Sequence, residues 1–329
     1  MGHRIGVIGV GAWGTTIAKV LAENGHSVLI WAHNEDSAHQ ISRCHTLSLL
    51  PGVRLPDSLS ATTNLAEVVT GTQELVFAIA SNFVDFVDQL VPLYRNQPIL
   101  VLTKGLLENK STIFLMEYLQ GKLGPAAPLA LLSGPNLALE IAEGKYCAST
   151  IASTMIDIAN RFQSLISNDY FRTYTAEDVI GVSLGGILKN TLAIAAGISD
   201  GLGLGMNAKS ALMTRGLQEM IRIGRHYGAN QETFFGLSGL GDLITTCCSE
   251  KSRNWQTGYA IAKGETAAEI ACRLNAVAEG VKTAKLIHLT FKDSGLDIPI
   301  FQEVYAVLYE QKPAQLAIQN LMTRQLKSE

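Results

Sequence analysis

The feature that most constrains the fold is a glycine-rich turn near the N-terminus, Gly9-Val-Gly-Ala-Trp-Gly14. It follows a short apolar run at residues 5–8 and precedes a helical pattern at residues 15–24. Gly9 permits a tight turn, Gly11 lets backbone N–H groups approach a pyrophosphate, and Gly14 allows the helix to pack closely on the strand. This context favours a dinucleotide-binding βαβ unit over a plain strand-turn-helix junction. A bound pyrophosphate is expected at the helix N-terminus.

The pattern along the chain predicts an α/β fold followed by an all-helical region. Short apolar runs at residues 28–31, 75–80, 99–102 and 129–132 are typical of strands, and residues 148–152 and 171–173 are weaker candidates. Each main run is followed by a helix-compatible stretch, which favours parallel strands in a Rossmann-like, doubly wound sheet with helices on both faces. After about residue 177 the patterns are helical and punctuated by glycine. We therefore predict a dinucleotide-binding domain at residues 1–178 and an all-α substrate and catalytic domain at residues 179–329.

Composition narrows the class of protein. The chain has 329 residues, of which 47% are hydrophobic and 17% charged, and its net charge is −3. These values argue against disorder and against a basic surface for nucleic acid. The 5 cysteines include no CxxC pair, and the histidines show no metal-ligand spacing, so neither a disulfide framework nor a metal site is predicted. No uninterrupted apolar stretch is long enough to span a bilayer, and no targeting segment precedes the first strand, so we expect a cytoplasmic protein.

Lys189 is the most unusual charged residue, because it lies in an otherwise apolar, glycine-rich helical segment at residues 181–197. Gly185 and Gly186 lie one turn before it, which would leave space for a ligand beside the ammonium group. Burying an unpaired ammonium is costly and lowers its pKa, which suits proton transfer. A catalytic role is not the only explanation of this segment. A lysine that extends its ammonium to solvent at a helix contact, or glycines that allow close helix packing, would explain it equally well.

The end of the second predicted strand bears on the cofactor. An NAD-preferring fold usually has a carboxylate about twenty residues after the glycines, where it binds the ribose 2′-hydroxyl. Here the strand ends at His33 and Asn34, which can donate hydrogen bonds to a 2′-phosphate, although Glu35 and Asp36 follow and either can turn inward. We predict NADPH or NADP as the cofactor, with NAD also possible.

Several polar residues follow predicted strands or mark turns. Lys104 and Asn136 follow two strands whose carboxyl ends border the expected ligand crevice, although Lys104 can also be a solvated loop cation and Asn136 a helix N-cap. Asp242 can orient the lysine, bind a substrate hydroxyl or cap a helix. Arg253 and Asn254 offer a guanidinium and an amide suited to a phosphate.

Taken together, these segments resemble the glycerol-3-phosphate dehydrogenase family, in its bacterial NAD(P)-dependent branch. The resemblance covers nearly the whole chain. The segments that carry it, besides the glycine-rich turn, are Trp31-Ala-His33, Thr103-Lys-Gly-Leu106, Ser133-Gly-Pro-Asn136, Leu184-Gly-Gly-Ile-Leu-Lys-Asn190, Ser199-Asp-Gly-Leu-Gly203, Gly239-Leu-Gly-Asp-Leu243, Ser252-Arg-Asn254 and Val277-Ala-Glu-Gly280.

The resemblance implies reversible NAD(P)H-dependent reduction of dihydroxyacetone phosphate to sn-glycerol 3-phosphate for phospholipid synthesis, by a homodimer. It implies that Lys189 is the general acid and base. Substrate positions implied by the family are Lys104, Gly134, Asn136, Lys189, Asp242, Ser252, Arg253 and Asn254. Implied cofactor positions are Gly9, Gly11, Ala12, Trp13, Gly14, His33, Asn34, Lys104, Ala138, Arg253, Val277 and Glu279.

Three positions depart from the bacterial pattern. Ala12 replaces a frequent serine, Asn34 stands where arginine is common, and Asn136 replaces a usual serine or threonine. The missing arginine weakens the argument for NADP, and Asn136 puts the form of that substrate contact in doubt. Two alternative functions are a related β-hydroxyacid dehydrogenase and a regulator that binds NADPH without turnover. Arg253 and Asn254 with Lys104 favour a phosphate-bearing substrate over a simple carboxylate. Lys189 with Asp242 argues against the regulator.

Overall fold

A computed structural model describes residues 2–108, 110, 112–274 and 278–326 of the chain. It divides into two compact units, Met1–Val182 and Ser183–Glu329. The first unit is built on a sheet with helices on both faces, and the described residues of the second unit contain helices and no strand.

The sheet of the first unit has eight strands among the described residues, in the order β3-β2-β1-β4-β5-β6-β7-β8. The strands are β1 (Arg4–Ile8), β2 (Ser27–Trp31), β3 (Leu59–Thr62), β4 (Glu74–Phe77), β5 (Ile99–Val101), β6 (Leu129–Ser133), β7 (Cys147–Ala152) and β8 (Phe171–Ala176). The strands predicted from the sequence are all present, and β3 is an additional edge strand that the sequence analysis missed. Its segment, Leu-Ser-Ala-Thr, contains too few large apolar residues to give a strand signal.

The strand directions correct one expectation. Strands β1 to β6 are parallel, but β7 runs antiparallel to β6, with Ser133 opposite Thr150, and β8 is parallel to β7. The sheet is therefore mixed, and not wholly parallel as the alternating pattern predicted. A short apolar strand looks the same in either direction, because hydrophobicity carries no information about which neighbour it pairs with.

Seven α-helices lie between the described strands of the first unit: α1 (Ala12–Glu23), α2 (Glu35–Ser42), α3 (Leu65–Thr70), α4 (Val87–Leu90), α5 (Leu115–Leu123), α6 (Ala138–Ala142) and α7 (Ile156–Ile166). Side chains alternate between two hydrophobic clusters along each central strand. In β1, Ile5 and Val7 face one cluster and Ile8 faces the other. Burial on both faces is the reason that these strands are continuous apolar runs.

The helices after the last strand are α8 (Val179–Gly201), α9 (Gly205–His226), α10 (Asp242–Cys248), α11 (Arg253–Ala262), α12 (Ala267–Leu274), α13 (Glu279–Phe291), α14 (Pro299–Tyr309) and α15 (Ala314–Met322). Among the described residues, only α8 is long and apolar enough to cross a membrane, with a mean hydropathy of 1.6 over an 18-residue window. However, 78% of that window is buried inside the protein. Helix α8 is thus a core helix, hydrophobic on most sides because neighbouring helices surround it.

Candidate active site

The glycine-rich turn lies at the carboxyl end of β1 and leads into α1, which begins at Ala12. Gly9 has a φ of +118°, and a Cβ on Gly14 would lie 2.8 Å from the Cβ of Ala78. No atom lies within 4 Å of the position a Cβ would take on Gly11, so the backbone there is open. Both the indole Nε1 of Trp13 and the hydroxyl of Thr15 are buried without a hydrogen-bond partner. Unsatisfied buried polar groups beside an uncapped helix N-terminus fit a bound dinucleotide.

The loop after β2 presents His33 and Asn34 at the same edge of the sheet. Asn34 is the N-cap of α2, and its Oδ1 accepts a hydrogen bond from the N–H of Ser37 at 2.8 Å. The Nδ2 of Asn34 lies 2.7 Å from the Nε2 of His33. Because the cap fixes the oxygen, the amide presents its N–H donors to the loop. The carboxylate of Glu35 accepts from the hydroxyl of Thr63 at 2.7 Å and is held there.

The loops after β5 and β6 bring together three of the predicted substrate residues. The Nζ of Lys104 donates to the carbonyl of Gly134 at 3.2 Å. The hydroxyl of Ser149, on β7, donates to the Oδ1 of Asn136 at 2.5 Å, and the Nδ2 of Asn136 is buried without a partner. Asn136 is not an N-cap, which corrects the alternative interpretation: α6 begins at Ala138 and Leu137 occupies the cap position. Ser149 lies beside this loop because β7 runs antiparallel to β6.

In the second unit, Lys189 forms a buried ion pair with Asp242, whose side chain is 1% exposed while that of Lys189 is 10% exposed. The Nζ of Lys189 also donates to the hydroxyl of Thr246 at 2.8 Å, and that hydroxyl donates to the carbonyl of Asp242 at 2.7 Å. Two sequence alternatives are therefore wrong. Lys189 does not extend its ammonium to solvent, and Asp242 does not cap α10, since Gly241 holds that position. The ammonium is buried but it is paired.

Gly185, the first of the two glycines before Lys189, also needs a different explanation. A Cβ on Gly185 would lie 2.5 Å from the carbonyl oxygen of Ser238. Ser238 belongs to a π-helical turn, Leu237–Gly241, that leads directly into α10. Gly185 thus allows this turn to pack against α8 and position Asp242, and it does not provide clearance for a ligand.

Residues 252–254 form the start of α11 beside α8 and α13. The hydroxyl of Ser252 caps α11 by accepting from the N–H of Trp255 at 3.3 Å. Arg253 is exposed. The buried amide of Asn254 donates to the Oδ1 of Asn190 at 2.9 Å and accepts from the N–H of Gly280 at 2.9 Å. Asn254 therefore ties three helices together, in addition to any ligand contact.

Asn190 continues this set of contacts, because its Nδ2 donates to the Oε2 of Glu279 at 3.4 Å. Predicted cofactor residue Val277 lies outside the described residues. Asn190 and Thr246 are site residues whose roles the sequence patterns do not predict. The available signals were the position of Asn190 directly after Lys189 and the four-residue spacing from Asp242 to Thr246, which places both on one face of a helix.

Comparison with known proteins decides the family. The model of the NAD-dependent glycerol-3-phosphate dehydrogenase N-terminus matches residues 4–159, and the C-terminus model of the same family matches residues 178–319. The chain belongs to this family. Glycerol-3-phosphate dehydrogenase [NAD(P)+] of Geobacter metallireducens is 44% identical over 100% of this chain and 99% of its own length, and that of Halorhodospira halophila is 40% identical over the same shares.

Solved structures agree with this assignment. Glycerol-3-phosphate dehydrogenase from Coxiella burnetii matches with a TM-score of 0.92 and 35% identity, over 98% of this chain and 99% of that one. The enzyme from Saccharomyces cerevisiae matches with a TM-score of 0.86 and 30% identity, over 98% and 100% of the two chains. The Rossmann-like and all-α fold class is confirmed, and the chain is an NAD(P)-dependent oxidoreductase that interconverts dihydroxyacetone phosphate and glycerol 3-phosphate.

Proposed function

We propose that Lys189 is the general acid in this reduction and the general base in the reverse reaction. The observation that carries the proposal is the buried ion pair of Lys189 with Asp242, with the Thr246 hydroxyl as a second ligand of the ammonium. When bound, the nicotinamide supplies hydride to the carbonyl carbon. Negative charge then develops on the carbonyl oxygen, and a lysine ammonium fixed by two partners can donate a proton to it without reorganising. Asp242 is proposed to orient the ammonium.

The test is oxidation of NADPH by dihydroxyacetone phosphate. We expect turnover by the wild-type protein and a decrease of kcat of about 10³-fold in Lys189→Met, because removing a general acid typically costs 10²- to 10⁴-fold. Binding of NADPH, followed by its fluorescence, should persist in this variant. Absence of wild-type turnover, or full activity of Lys189→Met, would reject the assignment.

We propose that the substrate residues include Lys104, Gly134 and Asn136 in the first unit and Asp242, Ser252, Arg253 and Asn254 in the second. Within this set, Arg253 is proposed to bind the phosphate, because it is exposed and has no ion-pair partner among the residues that the structure describes. A guanidinium can bind phosphate oxygens through two parallel N–H donors.

Arg253→Ala should lower kcat/KM for dihydroxyacetone phosphate by about 10- to 100-fold, as expected for loss of a charged hydrogen bond. With saturating NADPH, which masks any cofactor contact of Arg253, activity with unphosphorylated dihydroxyacetone should change by less than about twofold. Lys251→Ala, which removes a neighbouring exposed cation, serves as the matched control. An equal loss with both substrates would show that Arg253 does not recognise the phosphate.

We propose NADPH as the preferred cofactor, bound by Gly9, Gly11, Ala12, Trp13, Gly14, His33, Asn34, Lys104, Ala138, Arg253, Val277 and Glu279. The preference is supported by the N–H donors of Asn34 beside His33 and by the retention of Glu35 on Thr63. These donors suit the 2′-phosphate, whereas a carboxylate at the same place would bind a ribose 2′-hydroxyl.

Asn34→Asp places such a carboxylate at the N-cap while preserving the cap, since aspartate and asparagine cap helices equally well. The ratio of kcat/KM for NADPH to that for NADH should fall by about 10- to 100-fold, because the new charge repels the 2′-phosphate. Asn34→Ser retains a cap without a charge and should shift the ratio far less. An unchanged ratio in Asn34→Asp would place the 2′-phosphate elsewhere.

We also propose that the enzyme is a cytoplasmic homodimer whose product supplies phospholipid synthesis. The described cysteines are all free, three of them exposed, which fits a reducing compartment. The helical unit has a groove of about 400 Å³ bordered by exposed Leu204, Met322 and Leu326, which offers apolar surface for a second copy. Sedimentation of the wild-type protein and of Met322→Arg tests the dimer. Growth of a bacterial strain that requires glycerol 3-phosphate tests the supply of product.

A further inference from the structure

The contact between Glu35 and Thr63 joins the loop after β2 to the end of β3. The hydroxyl of Thr63 donates to the Oε1 of Glu35 at 2.7 Å. The backbone of Thr63 is itself fixed, since its carbonyl accepts from the indole Nε1 of Trp31 at 3.1 Å. Thr63 therefore presents its hydroxyl from a defined position at the carboxyl edge of the sheet.

Glu35 is a carboxylate that can disturb binding at this edge. It directly follows Asn34, whose Oδ1 is committed to the N–H of Ser37 and whose Nδ2 lies against His33. A carboxylate released from Thr63 belongs to the residue next to Asn34, whose amide keeps one N–H donor besides the one that faces the Nε2 of His33. The released carboxylate would pair with the donors that otherwise face a phosphate, and it would add a negative charge beside that phosphate.

We propose that Thr63 is a specificity-determining residue for the coenzyme. Its hydroxyl retains the Glu35 carboxylate and leaves the donors of the β2 loop available to a 2′-phosphate. Thr63 acts through Glu35, so it is a positioning residue and need not touch the coenzyme. The inference rests on the proposed preference for NADPH. It adds that the preference depends on a hydroxyl at the end of β3. Thr63 lies outside both the glycine-rich turn and the loop after β2, so the dinucleotide-binding motif does not include it.

The experiment compares kcat/KM for NADPH and NADH in Thr63→Val, which removes the hydroxyl and nearly preserves the volume. The ratio of the two should fall about tenfold, through a higher KM for NADPH at little-changed kcat, because the chemistry is remote from this contact. Thr63→Ser should restore the wild-type ratio. Glu35→Gln combined with Thr63→Val should restore it too, because no charge remains to be released. Thr70→Val, an exposed threonine on α3, is the control for the substitution itself.

Each outcome decides between the two proposals. A wild-type enzyme that prefers NADH would overturn the proposed cofactor preference and the role of Thr63 with it. A wild-type enzyme that prefers NADPH, with an unchanged ratio in Thr63→Val, would overturn the role of Thr63 alone. A lowered ratio in Thr63→Val that persists when Glu35→Gln is added would show that Thr63 contacts the coenzyme itself, and would overturn the positioning role.

Discussion

Replacing Lys189 by Met and Asp242 by Leu in the same chain should yield a protein about as stable as the wild type, with kcat lowered by about 10³-fold. Both charges of the pair are buried. Desolvation of a buried ion pair offsets most of its attraction, so replacing both partners with apolar residues of similar size is often neutral or stabilising. The proton donor is lost in the double variant, and kcat should fall about 10³-fold as in Lys189→Met alone.

The single variants make this expectation specific. Lys189→Met leaves the Asp242 carboxylate buried without its counter-charge, and Asp242→Leu does the same to the ammonium, so each should lose about 3 to 5 kcal/mol of unfolding free energy. Urea unfolding of the four proteins gives the coupling energy directly. If the double variant is destabilised by the sum of the single losses, the pair is not coupled in the way that the buried ion pair of Lys189 with Asp242 indicates.

The sequence predicted those features that local chemistry determines. The glycine-rich turn requires residues without a Cβ, and Gly9 has a positive φ. The spacing of the glycines therefore predicts this turn without the structure. Strands that are buried on both faces can be predicted from their continuous runs of apolar residues. Lys189 could be singled out because a buried charge in an apolar helix requires a partner. The sequence did not identify that partner, since orienting the lysine was only one of three possible roles for Asp242.

Other features depend on contacts between distant segments, which periodicity does not encode. Because β7 runs antiparallel to β6, Ser149 lies beside Asn136. Neither segment contains a sequence pattern that predicts this contact. The sequence pattern predicts that Gly185 provides clearance for a ligand. In the structure, the carbonyl oxygen of Ser238 lies 2.5 Å from the position of its Cβ. Ser238 is 53 positions away in the chain, so the pattern around Gly185 does not predict this contact. A glycine indicates only that space is needed at a position. Which group occupies that space is decided by packing.

Glu219 carries the second large expected effect, on stability as a function of pH. This carboxyl lies on α9, is 2% exposed, and accepts the N–H groups of Ile300 at 2.9 Å and Phe301 at 3.2 Å at the start of α14. It thereby caps a helix whose own N-cap residue, Ile298, provides no side-chain cap. Burial raises the pKa of Glu219 from 4.5 to about 8, and nearby Asp297 adds to the shift, while the two N–H groups and Arg222 oppose it.

The sign of the effect follows from proton binding. Between 4.5 and about 8 the folded protein holds a proton on Glu219 that the unfolded chain has released. The stability contributed by the neutral carboxyl is therefore fully present below the unfolded pKa and is lost as the pH rises through the folded one. Since each unit of separation corresponds to about 1.4 kcal/mol, the loss amounts to several kcal/mol over this interval.

Glu219→Gln removes the titrating group and retains an oxygen that can accept from the N-terminus of α14. The variant should be similar in stability to the wild type near pH 5 and more stable by several kcal/mol near pH 8.5. Urea unfolding at a series of pH values measures the difference, and Glu232→Gln, at an exposed glutamate, is the matched control. Parallel stability curves for Glu219→Gln and the wild type would mean that the folded protein holds no extra proton at this site. The cap of α14 would then be made by a charged carboxylate, favoured by the helix dipole over the cost of burial.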